Sequence, residues 1–138
     1  PSTQNFFQPW NESVVYPDDL YSALIYASSS SDAVVITEAQ APFKIVCVNK
    51  PWTLLCEYEV AEAVGRTFRF MQGADTDACS LERLVDAVQH RRSVQMMLVN
   101  YKKSGRSFAN FLRVKPLSSH GGGEITHYFG ILKDYEEL

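Results

Sequence analysis

The sequence contains no apolar run near the ~20 residues that cross a bilayer, and its first residues show no basic segment followed by an apolar core. Cysteine is scarce. Cys47, Cys56 and Cys79 are odd in number and unevenly spaced, a poor disulfide framework that fits a reducing compartment. His90, His120 and His127 are scattered and no CxxC or HxxxH spacing occurs, so no metal site is expected. Positive charge is not in excess, with 13 Lys and Arg against 16 Asp and Glu for a formal net charge of −3. That balance argues against direct nucleic-acid binding. The doublets Arg91-Arg92 and Lys102-Lys103 read as a solvated helix end or strand edge. No nucleophile–base pair is present, and Gly121-Gly122-Gly123 reads as a loop between strands rather than a phosphate cradle, so no enzyme is expected. Asn11-Glu12-Ser13 matches a glycosylation sequon, a triplet that arises often by chance.

These absences leave an intracellular module, cytoplasmic or nuclear, with no membrane partner. With 138 residues, 46% of them hydrophobic, the chain is long enough to bury one core. It lacks a first Met, and it is expected to be one module of a multidomain regulator whose effector lies elsewhere.

The pattern predicts a short amphipathic helix over Pro17–Tyr26, with Leu20, Ala23 and Leu24 at helical spacing and a polar break at Ser28–Ser31. Strands follow at Ala33–Thr37 and Ile45–Val48, rich in β-branched residues. Pro51–Phe70 reads as three short helical pieces, because Gly65 interrupts any continuous period. A longer helix is expected over Ser80–His90, N-capped by Ser80, with Leu81, Leu84, Val85 and Val88 as its apolar stripe. Val94–Tyr101 and Ser107–Val114 flank a turn with Gly105 near its tip, and Ile125–Lys133 is a last strand. Strands and helices do not alternate as βαβ units. The class is therefore α+β with an antiparallel sheet.

A signature and six further blocks in order then carry a resemblance. Gly65-Arg66-Thr67-Phe68-Arg69-Phe70-Met71-Gln72-Gly73 resembles the GRNCRFLQG signature of the light-oxygen-voltage (LOV) branch of PAS domains. Val35-Ile36-Thr37-Glu38 resembles that family's VITD, Ile45-Val46-Cys47-Val48-Asn49 its IVYAN, Glu57-Tyr58 its TGY or TEY, and Gly73-Ala74-Asp75-Thr76-Asp77 its GPETD. Asn100-Tyr101-Lys102-Lys103-Ser104-Gly105 resembles NYTKSG, and Phe108-Ala109-Asn110 resembles FWN. The resemblance implies a five-stranded antiparallel sheet with short helices and one long helix on one face, plus an N-terminal flanking helix. It divides the chain into a flanking segment over 1–32, a PAS/LOV-like core over 33–134 and the start of a C-terminal linker at 135–138. The helix ahead of the first strand resembles the aureochrome type, and phototropin-like domains share a similar core.

What the resemblance implies for a flavin is divided. Arg69, Gln72, Asn100 and Asn110 match positions that in the family hold the flavin phosphate, the ribityl chain and the pyrimidine edge. Four positions depart from the pattern. Phe68 stands where the photochemical Cys belongs and Thr67 replaces the Asn before it. Val85 falls where a second phosphate-binding Arg is usual, and Leu132 replaces the last-strand Gln. We expect no tightly bound cofactor, with Phe68 and Leu132 filling the space of the flavin ring. The alternative is FMN or another small ligand held non-covalently, with redox or radical-type signalling. None of the three cysteines is expected to rescue the photochemistry.

The leading functional expectation is thus a light-insensitive LOV-like regulatory module that acts through protein–protein contact. It would form a homodimer, or a heterodimer with another PAS or LOV domain. Leu20 and Leu24 of the first helix and Phe111, Phe129 and Ile131 of the sheet are the expected contact residues.

Overall fold

Long β-branched and aromatic stretches with two-residue alternation make five strands among the described residues. The computed structural model describes residues 15–138, so the Asn11-Glu12-Ser13 triplet lies outside the described residues. The order is α1 (Leu20–Ser29), β1 (Ala33–Glu38), β2 (Ile45–Val48), α2 (Lys50–Cys56), α3 (Val60–Ala63), a 3-10 turn (Phe68–Met71), α4 (Ala78–Gln89), β3 (Val94–Tyr101), β4 (Ser107–Ser118) and β5 (Ile125–Asp134), with a final 3-10 turn at Tyr135–Glu137. The sheet runs β2-β1-β5-β4-β3, antiparallel throughout. This is the expected α+β architecture.

Alternation along the central strands sends side chains to two separate cores. Val35, Leu98, Leu112, Val114, Tyr128 and Leu132 face inward with Trp52, Cys56 and Met71 from the connecting helical segments. Val34, Ile36, Phe129, Ile131 and Leu117 face the other way and pack under Ala23 and Ala27 of α1, joined by Tyr16. β1 is buried at every position but its last because both faces are covered.

The bounds of α1, α4 and β4 differ from the sequence expectation. α1 begins at Leu20 rather than Pro17, because the Asp19 side chain accepts from the Ser22 N–H at 2.8 Å and caps the helix there. It continues to Ser29, where the hydroxyls of Ser28 and Ser29 donate back to the Ile25 carbonyl instead of ending the helix. α4 is capped by Asp77 rather than Ser80. Its carboxylate takes both the N–H and the hydroxyl of Ser80, at 2.8 and 3.0 Å, and a carboxylate accepts more strongly than a serine hydroxyl. β4 extends past Val114 through Pro116. β3 pairs only as far as Val114, so the missing N–H of Pro116 breaks no ladder bond on that side.

Of the basic doublets Arg91, Arg92 and Lys103 are exposed, as expected of a solvated helix end and strand edge, and Lys102 is not. Arg91 holds a left-handed φ of 58° just past α4, and its guanidinium donates to the Ala39 carbonyl at 3.1 Å. Lys102 is buried, with its ammonium 5.6 Å from the centre of the Phe108 ring. Arg92 pairs with Asp86 at 2.6 Å and Lys103 with Glu62 at 2.5 Å.

Candidate functional site

Between the inner face of the sheet and α4 lies a cavity of about 600 Å³, within the range of small-molecule sites. β3, β4 and β5 form its floor through Leu98, Asn100, Asn110, Leu112, Val114, Tyr128, Gly130 and Leu132. Leu81, Leu84, Val85 and Val88 of α4 close it on one side, Thr67, Phe68, Arg69 and Gln72 on another, and Pro42 with Phe43 at a third. Tyr128 holds α4 in place, its hydroxyl donating to the Val88 carbonyl at 2.5 Å, and the Phe43 ring stands edge-on to it with centroids 6.3 Å apart.

All eight sequence-predicted positions line this one cavity: Arg69, Gln72, Asn100, Asn110, Thr67, Phe68, Val85 and Leu132. The register explains the asparagines. Leu98 lies opposite Asn110 and Asn100 opposite Phe108, so the two amides sit diagonally on the same face. The Asn110 Nδ2 donates to the Asn100 Oδ1 at 2.9 Å, and the Asn100 Nδ2 donates to the Met71 carbonyl at 3.1 Å. The Asn110 Oδ1 accepts from the Lys133 N–H at 3.3 Å. Each amide has two N–H donors and uses one among the described residues, although Asn110 is only 1% exposed. A spare donor on each amide, in a buried cavity wall, suits a ligand edge that carries carbonyls.

The expectation that Phe68 and Leu132 fill the flavin's space is not what the structure shows. Phe68 sits in the 3-10 turn, half-buried against the inner core, so its ring is part of the wall. Leu132 lies in the floor opposite Leu112. No cysteine is among the lining residues. Cys56 is buried in the inner core, where burial pushes its thiol well above the ordinary range. Cys47 packs against the outer core, and Cys79 is exposed at the start of α4.

The residues sequence reasoning missed are Tyr128, Phe43 and Asn49. Asn49 N-caps α2 and bridges the layers. Its Oδ1 accepts from the N–H groups of Val34 and Trp52, at 2.9 and 3.1 Å, and its Nδ2 donates to the carbonyls of Ala27 and Asp32, at 3.0 and 2.8 Å. An Asn two positions ahead of Pro51 was the available signal, since it is a helix-start pattern. Among the described residues no group of His, Cys, Asp and Glu is placed to hold a metal ion, and no helix is long and apolar enough to cross a membrane.

Of the contact residues expected on the sheet, Phe129 and Ile131 are already covered by α1, and Phe111 packs against the Tyr135 ring with centroids 5.5 Å apart. The exposed apolar side chains of α1 are Tyr21, Leu24 and Ile25.

Comparison with known proteins agrees with this geometry. Over 99 residues the chain is 38% identical to phototropin-2 of Oryza sativa subsp. japonica, covering 71% of this chain and 11% of that protein. It is 36% identical over 106 residues to a blue-light-activated histidine kinase of Rhizobium johnstonii, covering 75% of this chain and 30% of that protein. The chain therefore spans a small part of these relatives. Among solved structures, the LOV domain of the Erythrobacter litoralis EL346 blue-light activated histidine kinase superposes with a TM-score of 0.70 at 28% identity, covering 75% of this chain and 95% of that one. A five-stranded antiparallel sheet with helices over a cavity on its inner face, relatives and structural neighbours that include LOV proteins, and a PAS domain family model that matches residues 31–137 together place this chain in the PAS domain family.

Proposed function

We propose that this chain is a sensory PAS module of a larger regulatory protein, and that its cavity holds a flat heteroaromatic ligand of the flavin type non-covalently. The observation that supports this most is the buried Asn100–Asn110 pair. It lies in the wall of a cavity of about 600 Å³, with a spare N–H on each amide. Asn100 and Asn110 would read a carbonyl-bearing edge, Gln72 and Arg69 would meet the polar tail, and Phe68 would offer its ring for stacking. Such a group, when bound, supplies visible absorption and redox activity. With no thiol among the lining residues, the module lacks the sulfur that LOV-type photochemistry adds to the ring.

A visible spectrum of the protein purified after growth with flavin, and again after incubation with it, tests this reading. A structured blue-region band that stays with the protein through gel filtration and shows no cysteine-dependent bleaching is the expected result. A colourless protein that leaves added flavin free would refute it. Phe68→Cys combined with Leu132→Gln should then give a band that bleaches reversibly in blue light.

The apolar outward face of α1 favours a second reading, in which the module acts by association. The helix has no charged residue, and Tyr21 and Ile25 are 72% and 50% exposed. A helix apolar on both faces is ordinarily covered on both. Light scattering on the eluting peak would sink this reading if the chain stayed monomeric at high concentration.

A further inference from the structure

Resting on the ligand reading above, the cavity's charge distribution carries one step more. Of the described residues that line it, Arg69 alone bears a charge. Arg69 is exposed at the rim, where no hydrogen bond or ion pair holds its guanidinium among the described residues. Two other arginines near the cavity, Arg66 and Arg91, are engaged elsewhere. Arg66 lies 4.5 Å from the centre of the Phe70 ring and donates to the Glu62 carbonyl, while Arg91 donates to the Ala39 carbonyl and the Tyr128 hydroxyl. On the α4 side the wall is Leu81, Leu84, Val85 and Val88, and Val85 is 43% exposed, so the rim there is apolar where it meets solvent.

We infer that the cavity discriminates little by the charge of the tail: the unphosphorylated flavin, or a neutral heteroaromatic of similar shape, is held nearly as tightly as its phosphate monoester. A phosphate monoester carries a charge of about −1.5 to −2 at neutral pH. A single exposed guanidinium compensates little of the cost of desolvating that dianion, because exposed ion pairs are screened and their side chains must be ordered. The discrimination available from Arg69 is thus within about tenfold. Recognition falls instead to the amide pair and the apolar walls, which are indifferent to the tail.

The experiment is a fluorescence or calorimetric titration of the flavin-stripped chain with riboflavin and with FMN, at low and at high salt. The two dissociation constants are expected within tenfold of each other, converging further at high salt. Arg69→Gln should bring the FMN and riboflavin constants of the variant together and abolish the salt dependence of their ratio. Arg69 is exposed, so its replacement leaves the fold intact, and Asn110→Leu should weaken both ligands alike. A preference for FMN above tenfold, or FMN binding with no riboflavin binding, would overturn the inference while leaving the ligand reading intact. Binding of neither would overturn both.

Discussion

Asn49 shows how much one buried amide can hold. All four of its hydrogen-bonding capacities are used, on α1, on the segment before β1, on β1 itself and on α2. Asn49→Ala removes the cap and strands a buried N–H and two carbonyls, so it should destabilise the domain by about 2–4 kcal/mol in a urea unfolding curve. Asn49→Asp keeps the cap but loses both donors, and should fall between the two. His127 makes a different prediction. Burial holds its imidazole below the ordinary value of 6.5, with Glu38 opposing. The unfolded chain then takes up that proton first, and stability is lost as pH falls from 6.5 through the lowered value. Melting temperatures measured across that window should decline less in His127→Gln than in the parent protein.

Among the elements, α4 and α1 play contrasting roles. α4 roofs the cavity with four apolar residues and is started by a carboxylate, and Asp77→Ala should lower the melting temperature by a few degrees. The N–H and hydroxyl of Ser80 hold the Asp77 carboxyl below its ordinary 3.8. That contribution is present above 3.8 and lost as pH falls through the lowered value, so the parent and the alanine variant should converge in acid. α1 is fastened to the sheet rather than loosely attached. Lys133 reaches Asp32 at 3.2 Å, Lys115 reaches Asp18 at 2.7 Å, and the Tyr26 hydroxyl donates to Asp32 at 2.5 Å. Leu24→Glu on its outward face should therefore leave the melting temperature within a degree or two and report only on association, by light scattering.

For the molecule as a whole, the cavity separates the sheet's inner face from α4 over a wall of apolar side chains. A ligand that fills it binds the folded state alone and should stabilise it by about 2.7 kcal/mol at a hundred times its dissociation constant. Differential scanning calorimetry with increasing riboflavin would show the rise, and its absence despite a flavin band would mean the ligand sits elsewhere. Enlarging Gly130 tests the same point from the wall. A side chain there meets Val35 at 3.0 Å and enters the cavity floor, so Gly130→Ala should weaken the ligand more than it weakens the fold.

The strand positions, the three short helical pieces and the order of the motif blocks were legible from the residues, because alternation, glycine breaks and motif spacing are local properties. Eight of the positions that line the cavity were legible through the resemblance to the LOV motif, which those blocks carry. Helix starts were less so: whether Asp77 or Ser80 caps α4 depends on which oxygen reaches the free N–H groups, and β4 passes Pro116 only because β3 has ended. Whether Phe68 and Leu132 close the cavity or merely wall it was beyond the sequence. That outcome depends on how far α4 and the 3-10 turn stand from the sheet, a distance set by side chains from six elements at once. The sequence by itself determined the α+β order and the absence of a thiol at position 68. Only the tertiary structure decided that the space beside that residue stays open, since cavity volume is a property of packing between layers and no single stretch of chain encodes it.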